Sequence, residues 1–115
     1  MDNKRLETLC SFATESHARI QQDFADINPM IGMNRRMREM GVPADAVTID
    51  HSKSNRRIIL ILHDHYPEIV NYQFSFKDRD PDDNFEQIAF EELNADKLYA
   101  WIRDYFQPAS NGSST

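Results

Sequence analysis

IVNYQFSFK, residues 69–77, alternates apolar and polar side chains from Val70 to Lys77. Successive side chains of a strand point to opposite faces, so Val70, Tyr72, Phe74 and Phe76 form one face and Asn71, Gln73, Ser75 and Lys77 the other. The apolar face requires cover. Upstream, RRIILILHD (56–64) fits it in one register, with Leu62 opposite Val70, Leu60 opposite Tyr72 and Ile58 opposite Phe74. A slip of one residue would set Leu60 and Leu62 against polar partners. The turn this register demands is His65-Tyr66-Pro67. The same parity carried back through SKSN places Val47 and Ile49 of AVTIDH (46–51) on the core face. Downstream, FEQIAFEE (85–92) reads as a fourth strand after DRDPDDN. The connections are of hairpin length, so an antiparallel four-stranded meander is expected.

Helical patterns flank the strands. Leu6, Leu9, Cys10, Ala13, His17, Ile20, Phe24 and Ile27 lie on one stripe of a helix of about six turns. Asn28-Pro29 then suits the start of a second helix, in which Met30, Met33, Met37 and Met40 step by three and four before Gly41 and Pro43 end it. This stripe is expected to pack in the core. Its alternative use is an adaptable groove for a partner, because methionine surfaces repack readily. Asn94 caps a last helix whose Leu98, Trp101, Ile102 and Tyr105 recur at helical spacing before Pro108. The expected fold class is α+β: two N-terminal helices, a four-stranded antiparallel β-meander and a C-terminal helix packed on the sheet (α-α-β-β-β-β-α). Residues 1–107 form a single domain and residues 108–115 a flexible tail.

Composition narrows the function classes. The chain has 115 residues, is 28% charged and has a net charge of −6, which disfavours nonspecific binding to nucleic acid or anionic lipid. The charge is uneven: residues 1–57 hold nine basic and eight acidic side chains, residues 58–115 four and eleven. A basic partner would dock on the second half. Cys10 is the only cysteine, so an intramolecular disulfide and a cysteine zinc cluster are both excluded. No stretch approaches the length of a membrane span, and a cytoplasmic location is expected.

Motifs of catalysis and ligation are nearly absent. His63 and His65 flank Asp64, but His63 ends a strand while His65 lies in the turn, which breaks the shared face that two metal ligands at i and i+2 would need. Asp78, Asp80, Asp82 and Asn84 alternate as in a calcium loop, yet Asp83 and Ala89 stand where its glycine and closing glutamate belong. Cys10 and His17 are separated by about 10 Å of helix, too far for a nucleophile and its base. With three glycines in the chain, no phosphate loop can be built. Double-stranded RNA-binding domains share an α-β-β-β-α order, but their last helix begins with lysines, and here Lys97 stands among acids. No catalytic residue, metal site or cofactor is assigned.

A binding role remains. The sheet face opposite the core carries Ile59, Ile61, His63 and Gln73, with Phe85 from the fourth strand, and either a helix covers it or a partner does. The leading expectation is a small acidic protein-binding module (adaptor, chaperone-like protein or inhibitor) that docks through these residues and forms a homodimer or a complex with another protein. Small acidic chaperones of bacterial secretion systems offer an analogy of size and charge only. Two alternatives stand beside it. One is a small-ligand or metal site centred on His51, His63 and His65. The other is an acidic nucleic-acid mimic using Asp78, Asp80, Asp82, Asp83, Glu86, Glu91 and Glu92.

Overall fold

Ile58, Leu60 and Leu62 stand opposite Phe74, Tyr72 and Val70 in the computed structural model, which describes residues 4–79 and 84–106. The register demanded by the alternation is the one adopted. Helix α1 (Lys4–Asp23) leads into strand β1 (Met30–Asn34), a single helical turn α2 (Arg36–Glu39), then β2 (Ala44–His51), β3 (Arg56–His63), β4 (Ile69–Phe76) and β5 (Glu86–Ala89). A 3-10 turn (Phe90–Glu92) and helix α3 (Ala95–Phe106) follow. The strands form one antiparallel sheet in the order β1-β2-β3-β4-β5. The fold is α+β with helices at both ends, but the meander has five strands rather than four.

The additional strand replaces most of the expected methionine helix. Ile31 is β-branched and Gly32 is a poor helix former, whereas pairing with β2 supplies backbone partners along the whole segment from Met30↔Asp50 to Asn34↔Ala46. Gly32 lies opposite Thr48, and a Cβ there would come within 3.1 Å of the threonine hydroxyl. Helix begins only after Asn34, whose Oδ1 accepts the Arg36 N–H at 2.8 Å, and it stops at Gly41 with φ +93°. The methionines therefore share no stripe. Met30 and Met33 project to opposite faces of β1, Met37 is half-buried in α2, and Met40 is exposed. They form neither a core layer nor a single groove.

One core lies between the sheet and two helices. Leu6, Leu9, Ala13 and Ile20 of α1 meet Leu98, Ile102 and Phe106 of α3 over Val47, Ile49, Ile58, Leu60, Leu62 and Val70. Ser16 is tolerated on the buried stripe because its hydroxyl donates to the Ala13 carbonyl at 2.9 Å. α1 ends at Asp23, about a turn before its apolar pattern does, although Ile27 is still buried. α3 starts where Asn94 Oδ1 accepts the Lys97 N–H at 2.8 Å. Trp101 stacks on Tyr72 at 4.4 Å and meets Phe74 edge-on at 5.6 Å. Phe74 points toward the helices as expected yet stays 41% exposed, because it sits at the rim of the core. The proposed tail, residues 108–115, lies outside the described residues.

Leu60 is fully buried in the central strand, so Leu60→Ala is expected to cost about 3 kcal/mol, from lost transfer energy plus a cavity. Urea unfolding monitored by circular dichroism measures the loss.

Candidate functional site

Both long helices cover the same sheet face, and neither Ile59 nor Ile61 belongs to the core beneath them. Strand parity defines the opposite, helix-free face: Gly32 pairs with Thr48, Thr48 with Ile59, Ile59 with Gln73, and Asn71 with Gln87. Lys77 follows β4 directly, and among the described strand residues the formally charged ones on this face are Asp50 and Arg57. They neutralise each other through a two-pronged contact at 2.7 and 3.0 Å.

Of the expected partner-binding residues, Ile59, Ile61, His63 and Gln73 share this face by strand parity, but not equally, while Phe85 precedes β5 and has no strand partner. Ile59 is only 6% exposed and Gln73 only 8%. Ile59 lies between Thr48 and Gln73, its cross-strand partners, and the Gln73 amide donates to the Asn84 carbonyl at 3.1 Å. Ile61, His63 and Phe85 are half-buried. What the face presents is thus half-buried Ile61 and Ile69 and, at its β1 edge, exposed Met30 among small and amide side chains, rather than a continuous isoleucine strip.

His51 does not converge with His63 and His65, although those two meet each other. His51 closes β2 opposite Arg56, the first residue of β3, while His63 is the last residue of β3. They are separated by the length of the strand, about 23 Å. At the hairpin, His63 Nδ1 accepts the His65 N–H at 3.2 Å, and the two rings meet edge-on at 5.1 Å. Among the described residues no group of three His, Cys, Asp or Glu side chains is placed to hold a metal ion. A shared site of His51, His63 and His65 is therefore ruled out by the extension of β3. His51 instead stacks on Phe106 at 5.1 Å and meets Ser54 Oγ at 2.9 Å through Nδ1. Its Nε2 is buried without a well-formed hydrogen bond, and burial lowers its pKa, offset only in part by the Asp26 backbone. Cys10 is half-buried and its thiol pKa is pushed up by burial, which disfavours the thiolate.

An ionic cluster escaped the sequence reading. The side chain of Asp45 is 4% exposed and accepts two bonds from Arg38, each 3.0 Å, and one from Arg35 at 3.3 Å. Arg38 also grips Asp64 at 2.9 and 3.0 Å. Its hydrogen bonds hold both carboxyls below their ordinary range, against the desolvation that would raise Asp45, and raise Arg38 itself. The cluster ties α2 and the β3–β4 turn to the start of β2. Its signal in the sequence was Asp45 itself, on the same parity as Val47 and Ile49, because an acid on a buried face needs a paired cation.

The acids proposed as a nucleic-acid mimic are dispersed. Asp78 follows the end of β4, whereas Glu91 and Glu92 follow Ala89, which pairs with Ile69 at the start of β4. Glu86 is exposed on the β5 edge; Asp80, Asp82 and Asp83 lie outside the described residues. A cleft of about 540 Å³ opens between Pro67-Glu68-Ile69 and Ala89-Phe90-Glu91. It has two carboxylates and no cationic or nucleophilic side chain in its lining. No helix among the described residues is long and apolar enough to cross a membrane. Comparison with protein-family models, with curated proteins and with solved structures finds no match.

Asp45→Asn is expected to cost about 2 kcal/mol, since it leaves Arg38 without its buried acceptor, as read from the shift in urea midpoint. A second outcome concerns pH. Unfolded His51 takes up a proton near pH 6.5, and the folded imidazole resists it. Stability is therefore full above about pH 6.5 and falls as the pH drops below it; a separate loss from Asp45 begins below about pH 4. His51→Gln should remove the first decline and keep the second, as measured by thermal midpoints across pH.

Proposed function

We propose that this chain is a non-catalytic protein-binding module that docks a flat, weakly charged protein surface on the helix-free face of its sheet. The observation that carries this reading is the charge balance of that face. In a chain that is 28% charged, its formally charged strand residues are Asp50 and Arg57, already paired. A sheet face kept in water ordinarily carries solvated polar and charged side chains, whereas the centres of protein interfaces are depleted of them. Five strands about 4.8 Å apart and up to about 25 Å long present roughly 500 Å², the low end of specific interfaces, which suits a transient adaptor, chaperone-like or inhibitory contact. Arg57 and Asp50 supply directional hydrogen bonding at one end, Ile61 an apolar centre, and His63 a polar rim. A cytosolic setting is part of the proposal, in keeping with the free thiol of Cys10.

The test places a lysine where the partner would seat, at Ile61→Lys and at Asn71→Lys. Both positions are on the solvent side, so the fold survives, with a thermal midpoint within about 5 °C of the parent. A protein recovered with the parent chain should be lost with either variant and retained by Glu86→Lys. Equal recovery by all four chains would remove the helix-free face as the docking surface.

A further inference from the structure

The two edges of the sheet differ in how they are guarded. β5 carries Glu86 within its four residues; β1, Met-Ile-Gly-Met-Asn, has no charge, proline or bulge within it, although Pro29 precedes it and Arg35 and Arg36 follow. Met30 and Met33 are 59% and 57% exposed there. Among the described residues, no backbone group of β1 is bonded to anything but β2 and the chain next to it. An open strand of this kind invites another strand.

We propose that the occupant is a second copy of this chain, joined β1 to β1 in antiparallel sense about Gly32. Three observations select a copy of itself. The strand is self-complementary: centred on Gly32, Ile31 faces the second copy's Met33 on the helix-bearing side, while Met30 faces its Asn34 on the other. Every apolar side chain of the helix-bearing side then meets an apolar one, continuous with a core that Ile31 already borders. Charge also agrees. Asp26 precedes β1 and Arg36 follows it, both exposed and neither ion-paired within the described residues. The two-fold operation brings the segment before β1 of each copy, with Asp26, alongside the segment after β1 of the other, with Arg36. Finally, β1 belongs to the nearly neutral half of the sequence, so this pairing sets the two acidic halves at opposite ends of the joined sheet, where their repulsion is weakest. The product is one ten-stranded sheet whose two helix-free faces are contiguous.

Sedimentation equilibrium of the full chain across micromolar concentrations should return twice the chain mass. Met33→Lys puts an ammonium against apolar neighbours at the seam and should return the single-chain mass with an unchanged circular dichroism spectrum. Asp26→Arg should weaken the dimer, and Asp26→Arg combined with Arg36→Asp should restore it, which decides the matter even if Met33→Lys fails to fold. Glu86→Lys and Ile61→Lys should leave the mass doubled, so loss of docking at the helix-free face and loss of the dimer are separately visible. A parent chain that stays monomeric, or a dimer indifferent to both Met33→Lys and the charge reversal, would overturn the proposal.

Discussion

Everything in this molecule hangs on the burial of one sheet face. Val70, Leu60, Leu62, Ile58, Val47 and Ile49 present a continuous aliphatic layer, and only cover on that side by α1 and α3 removes it from water. With both helices committed there, no helix among the described residues covers the opposite face. The asymmetry of the molecule, one face under helices and one without them, is a consequence of having two long helices and one strongly apolar face.

The cluster at Asp45 shows how the periphery is held to that centre. The connection from β1 to β2, residues 35–43, is too long to act as a tight turn. Arg38 closes it by bonding Asp45 in β2 and Asp64 beyond β3 at once. A guanidinium can do this because its planar fork serves two carboxylates on different edges; an ammonium would meet them as a point charge. Burying Asp45 is unfavourable taken alone, and the three hydrogen bonds it accepts from Arg35 and Arg38 are what make the position tenable. The cluster anchors α2, which directly follows β1, to β2.

The strand pairing of β3 and β4 was legible because its side chains alternate without ambiguity, and parity then assigned Ile59, Ile61 and Gln73 to a common face. The cap at Asn94 was legible for a similar reason: a short amide before a helical apolar pattern has few other uses. The stretch 30–40 was misleading. Methionines at steps of three and four fit a helical stripe, yet methionine is indifferent enough to conformation that β-pairing of Ile31 and Gly32 with β2 prevailed. The candidate site was read only in part. Which side Ile59 faces follows from its neighbours in the chain, whereas its seclusion depends on Thr48 and Gln73, which reach it across the sheet.

Local alternation and capping chemistry determined, from the sequence alone, an antiparallel sheet with one apolar face, a helix before it and a helix after it. These are short-range signals, set by the geometry of a single strand or turn. Tertiary structure decided the fifth strand, the pairing of Arg38 with Asp45 and Asp64, the separation of His51 from His63, and the exposure of the β1 edge. Each depends on distances between residues remote in the chain, and such distances exist only once hydrophobic burial has brought the elements together.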